Sequence, residues 1–169
     1  MRFDGRLYYD LSPPVWRFYR LLMAAAGEGA ELQLDWQPFL KDSDPESAVG
    51  LALAEGVRSR APERYAAFVQ ALLAIRHLDG ADLADPRTAA RAAESAGLRG
   101  PIVPDESAVA RSTEMAAELG VTAAPTVFRH GPVLHIGVNP ASYEGGALER
   151  LRVIDAVLSD DGIWTLAKP

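Results

Sequence analysis

The chain contains no cysteine. That excludes a disulfide scaffold, a cysteine nucleophile, a cysteine-ligated zinc and any thiol–disulfide exchange carried by the protein's own atoms. No apolar run approaches the ~20 residues of a membrane-spanning helix. The opening MRFDGRLYYD has no apolar core of secretory type, so a cytoplasmic protein with no membrane contact is expected. Lysine is scarce: Lys41 and Lys168 are the only two. A net charge of −6 without a basic cluster disfavours nucleic acid as a partner. His77, His130 and His135 lack metal-ligand spacing, and Asp42, Asp44 and Glu46 read as a helix start, so no metal is expected. Gly145-Gly146 lacks the continuation of a phosphate loop.

What is present is the balance of a globular protein. The 169 residues are 49% hydrophobic and 24% charged, enough for one domain, or one domain with a sizeable insertion. Gly5 to Leu11, rich in aromatics, reads as a buried strand stopped by Pro13-Pro14. Trp16, Tyr19, Leu22 and Met23 recur at helical spacing over Val15 to Ala26, and Gly27 and Gly29 end that helix. Glu31 to Trp36 alternates polar and apolar residues and predicts a second strand. The opening is β-α-β. Helix starts then recur at Ser43-Asp44-Pro45-Glu46, Ala61-Pro62-Glu63, Asp85-Pro86-Arg87 and Pro104-Asp105-Glu106, where proline and acidic residues suit a first turn. They predict an all-helical insertion from Pro45 to Leu119. Pro125 to Arg129 and Val133 to Val138 read as a hairpin across His130-Gly131-Pro132. Gly145-Gly146 opens a last helix with Leu148, Leu151, Ile154, Val157 and Leu158.

This order is that of a thioredoxin-like α/β fold with an inserted all-helical domain, residues 1–40 and 120–169 forming one unit and 41–119 the other. Particular residues strengthen it. Leu7-Tyr8-Tyr9-Asp10, Trp36-Gln37-Pro38-Phe39-Leu40, the stretch from His77 to Leu98 and, most closely, Leu119 to Phe128 (LGVTAAPTVF) resemble the DsbA-like group of proteins. That group includes FrnE-type oxidoreductases, 2-hydroxychromene-2-carboxylate isomerases and kappa-class glutathione transferases. Gly131-Pro132-Val133-Leu134 and Gly162-Ile163-Trp164 are similar to its mycothiol-dependent nitroreductase branch.

The resemblance implies a cis Pro125, with the backbone of Ala124 pairing a peptide-like ligand and Thr126 flanking the same groove. The group's reactive Cys-Pro-x-Cys, or Ser-Pro, falls at the start of the first helix. Without a gap, Pro13 takes the nucleophile's place and Trp16 that of the second cysteine, which fits Asp10 and Pro14. With a one-residue gap, Ser12-Pro13 takes the place of Ser-Pro. Ser12 therefore has two readings. It is a helix N-cap, or its hydroxyl is the catalytic donor to a bound thiolate, where a charge-assisted bond of roughly 1.5–3 kcal/mol lowers the thiol pKa by about one to two units. Trp16 and Tyr19, one turn apart, either stack on a ligand or pack in the core.

Two functions follow. One is an enzyme with no covalently bound cofactor that uses a low-molecular-weight thiol, mycothiol or glutathione, on a small electrophilic substrate. The other is a non-catalytic protein that binds a small molecule or a protein in the cis-proline groove. A homodimer is expected in either case, with Tyr65, Phe68 and Leu72 on the partner surface.

Overall fold

The computed structural model describes residues 1–40, 44–130, 133–138 and 146–160. Strand β1 (Arg2–Tyr9) leads through α1 (Pro13–Gly27) to β2 (Glu31–Pro38). Helices α2 (Pro45–Arg60), α3 (Tyr65–Leu78), α4 (Pro86–Ser95) and α5 (Glu106–Glu118) follow, with a 3-10 turn at Pro62–Arg64. Strands β3 (Thr126–Phe128) and β4 (Val133–His135) and helix α6 (Ala147–Leu158) close the chain. The four strands form one sheet in the order β2-β1-β3-β4. β1 pairs β2 in parallel and β3 antiparallel, and β3 pairs β4 antiparallel. This is the thioredoxin-like fold with a helical insertion.

The element boundaries differ from the sequence reading in instructive ways. β1 begins at Arg2, and Leu11 lies beyond it. Its early residues lack a strong apolar signal because the parallel ladder with Glu31–Pro38 supplies their order. α1 takes in both prolines, which need no N–H in a first turn. β4 stops at His135. Gly5 has φ +139°, and a Cβ there would meet the Phe128 carbonyl oxygen at 3.0 Å, so glycine is what lets β3 close on β1 at that point. Three insertion helices use the acidic caps that their sequences announce. Asp44 accepts from the Glu46 amide, Asp85 from Arg87 and Asp105 from Ala108. The start of α6 is instead capped from α1's end, the Glu28 carboxylate accepting from Leu148 at 2.9 Å. Lys41 to Ser43, Gly131-Pro132, Gly145 and Gly162-Ile163-Trp164 lie outside the described residues.

The insertion does not have a separate core. Phe3, Tyr9 and Phe18 of the β-α-β unit belong to the same buried cluster as Leu51, Phe68, Leu72 and Ala92. A polar chain also joins the two parts. Tyr65 donates to Glu55 Oε1 at 2.9 Å, so the 2.7 Å contact between the Tyr9 and Tyr65 hydroxyls is a bond donated by Tyr9. Arg58 lies 3.8 Å over the Tyr65 ring, bonds Glu55 and donates to the Trp36 carbonyl. Each buried polar group here has a partner, which removes the cost of an unmet one. The placement of Tyr65, Phe68 and Leu72 on a partner surface is therefore corrected. They are 6%, 0% and 1% exposed, because α3 presents that face to the shared core.

Candidate functional site at the ends of β1 and β2

The β1–β3 register sets Tyr8 opposite Thr126. The ladder ends there, so Ala124 and Pro125, which lead into β3, come at the end of the sheet where the chain leaves β1 for α1. The Phe39 amide bonds the Tyr9 carbonyl at 2.8 Å and draws the end of β2 to the same place. Ser12, Pro13, Pro14, Trp16, Ala124, Pro125 and Thr126 thus gather at one end of the sheet.

The helix start is closed on itself. Asp10 Oδ1 accepts from the Ser12 amide at 2.9 Å and from the Ser12 hydroxyl at 2.5 Å. Ser12 occupies the N-cap position, but its side chain makes no cap bond. The physical reason lies in the next two residues. A cap hydroxyl accepts from the second or third helical amide, and Pro14 offers none. Of the first three helical residues only Val15 has an N–H, and the Trp16 amide already bonds the Ser12 carbonyl at 3.1 Å. A helix N-terminus usually presents several free amides to an anion. Here prolines and Asp10 take most of them away.

Burial raises the pKa of Asp10, opposed by the two Ser12 bonds; the neighbouring Asp44 raises it further and Arg76 lowers it. Asp44 belongs to a small cluster with Arg76 and Ser47, at 3.0 Å from Arg76 Nη2 and 2.6 Å from Ser47 Oγ. Burial works against ionisation of Asp44, but the Ser47 and Arg76 bonds and the Arg76 charge together hold it below the usual carboxylate range. His77 Nε2 lies 3.0 Å from the Leu11 carbonyl. Burial depresses the pKa of His77, partly offset by that bond. Trp16 stacks on His77 and on Tyr19, both at 5.7 Å between ring centres. The half-buried Trp16 is thus held by aromatic neighbours within the chain, and α3 is tied to the start of α1. Pro13 and Pro14 are exposed.

On the facing segment the Ala124–Pro125 bond is cis. Pro125 is buried, and its carbonyl accepts from Ile136 at 2.9 Å. Thr126 is 1% exposed, and its hydroxyl donates back to the Ala123 carbonyl at 2.7 Å. Thr126 therefore shapes the loop, and its side chain does not flank an open groove. Ala124 is half-buried, and its amide and carbonyl have no hydrogen bond among the described residues. No group of three potential metal ligands occurs among the described residues. Arg76 and His77 join this site from α3, while Asp10 stands shortly before the α1 start. The Asp-x-Ser spacing of Asp10 and Ser12 signals a local turn bonded through the aspartate. Nothing local reveals His77, which arrives from 66 residues away.

No protein-family model and no curated protein sequence matches the chain. Solved structures do. The fold is similar to that of a periplasmic thioredoxin-like protein from Salmonella enterica serovar Typhimurium, with a TM-score of 0.64 and 15% identity over 88% of this chain and 84% of that one. It is similar to the catalytic domain of Proteus mirabilis ScsC, with a TM-score of 0.64 and 16% identity over 89% and 83% of the two chains. A thioredoxin-like oxidoreductase from Silicibacter pomeroyi DSS-3 gives a TM-score of 0.59 and 18% identity over 89% and 86%. At these identities the likeness establishes the fold.

Proposed function

We propose that this chain is a non-catalytic binding protein of the thioredoxin fold, which takes an extended segment of a partner protein along Ala124. The observation that carries the reading is the closed helix start: the Ser12 proton is committed to Asp10, and Pro13 and Pro14 stand where amides would otherwise point outward. A bound mycothiol or glutathione would need a donor for its thiolate there. It would meet instead a carboxylate, whose charge opposes a second anion. The similarity of the Leu119–Phe128 stretch to FrnE-type oxidoreductases, the isomerases and the kappa-class transferases fits a lineage in which the reactive position has been replaced. What remains is the Ala124 backbone, which has no hydrogen bond among the described residues and could bond an extended chain as an added strand would.

The test has two arms. Calorimetry with glutathione and with mycothiol at millimolar concentration is expected to give no binding heat. Heptapeptides selected from a displayed random library are then compared with versions N-methylated at each position in turn. Methylation at the residue that pairs with Ala124 removes one hydrogen bond, worth roughly 0.5–1.5 kcal/mol, and is expected to weaken binding about threefold to tenfold. Thiol binding abolished by Ser12→Ala, or peptide binding indifferent to methylation everywhere, would refute the reading.

A further inference from the structure

A cavity of about 460 Å³ lies on the insertion, between α2 and α5. On α5 it is lined by Glu106, Val109, Ala110, Thr113 and Glu114, which recur at the three- and four-residue steps of one helical stripe. The opposite wall is Ala48 and Val49 of α2, with Leu40 closing one side. The walls are fixed: the Leu40 amide bonds Thr113 Oγ1 at 3.0 Å, and the Asp105 amide bonds the Ala52 carbonyl at 2.8 Å. Val109 is 5% exposed and forms an apolar floor.

The two acids end the stripe. Eight residues apart, they stand about 12 Å from one another along the axis. Both are exposed, and neither has a salt-bridge partner among the described residues. The only cation on α5, Arg111, bonds Ser107 on the flank of the helix. The cavity is therefore an apolar trough with a carboxylate at each end that no cation among the described residues pairs with.

We propose that this trough binds an extended peptide segment with the pattern basic-x-apolar-x-basic. An extended chain advances about 3.3 Å per residue and points alternate side chains to one face. Residues four apart thus span about 13 Å on the same side, which matches the separation of Glu106 and Glu114. The middle residue of the three faces Val109 and Val49. This inference stands apart from the reading of Ala124, since its residues lie on other elements and its variants leave Ala124 untouched.

Fluorescence anisotropy tests it with a labelled peptide whose core is arginine-alanine-leucine-alanine-arginine. Two controls carry glutamates in place of the arginines, or one extra alanine between the leucine and the second arginine. The basic peptide is expected to bind, more weakly as salt rises, the acidic control at least tenfold more weakly and the lengthened control about twofold to fivefold more weakly. Glu106→Gln with Glu114→Gln, both at exposed positions, is expected to cost about threefold to tenfold. Ala110→Phe, which fills the trough from an exposed helix position, is expected to abolish binding while circular dichroism stays unchanged. Equal binding of basic and acidic peptides, no binding at millimolar peptide, or indifference to these variants would overturn the proposal. So would a dimer of the free chain that Ala110→Phe dissociates, since a second copy would then be the occupant.

Discussion

Gly56, in the middle of α2, gives a sharp test of how the insertion is packed. In an open helix, glycine to alanine stabilises by about 0.8–1 kcal/mol, because alanine has the better propensity. At position 56 the sign is expected to reverse. A Cβ there would lie 2.0 Å from the Val103 carbonyl oxygen and 3.2 Å from Ile102 Cγ2. The first of these is backbone, so no side-chain rotation relieves it. The segment cannot simply lift away, because Arg60 donates to the Pro101 and Arg99 carbonyls and the Asp105 amide bonds Ala52. Overpacking of this kind costs roughly 1–3 kcal/mol, and each backbone bond that breaks adds about 0.5–1.5. After the propensity gain, Gly56→Ala is expected to lose about 1–3 kcal/mol, or roughly 2–10 °C in Tm. Gly27→Ala, at the end of α1 with nothing within 4 Å of the new Cβ, is the control and is expected to be neutral or slightly stabilising. Urea denaturation followed by circular dichroism measures both. A Gly56→Ala protein as stable as its parent would refute the packing argument.

Two further outcomes follow from burial. Phe68→Asp is expected to unfold the chain and not merely to part a dimer, since the ring is 0% exposed; loss of far-ultraviolet dichroism is the readout, and a folded variant would return Phe68 to the surface. Asp10 has a folded pKa above its ordinary 3.8, so the folded chain holds that proton more tightly than the unfolded one. Its stabilising contribution is full below the unfolded value and is lost as pH rises through the folded one. Asp10→Asn, which keeps an acceptor for Ser12, is thus expected to gain stability relative to its parent as pH is raised from acid to neutral; a constant difference across that range would contradict the assignment.

The parts of this fold that could be read from the sequence were those decided by neighbours along the chain. The Asp-Pro pairs at 44–45 and 85–86 and the acidic turn at Asp105 start helices because cap and first turn are local chemistry. The β-α-β opening was legible from apolar spacing and turn residues. Phe68 was misplaced because periodicity shows which residues share a face, not what covers that face; here α3 lies in one core with the sheet. Ser12 stands at the N-cap position that its sequence context suggests, and only the direction of its hydroxyl shows that its proton goes to Asp10. His77 and Arg76 come to the site through the packing of α3, a long-range event with no local signature.

The closed turn at Asp10 and Ser12 also bears on what it would take to give this scaffold redox chemistry. Ser12→Cys would supply sulfur but not reactivity. The new thiol would sit against a half-buried carboxylate, and a helix whose first two residues are prolines supplies few amides to share a thiolate's charge. Its pKa would rise and its nucleophilic fraction would fall. Exchange chemistry on this frame depends on a donor-rich helix mouth, and the electrostatics of that mouth would have to be rebuilt before a sulfur atom placed there became useful.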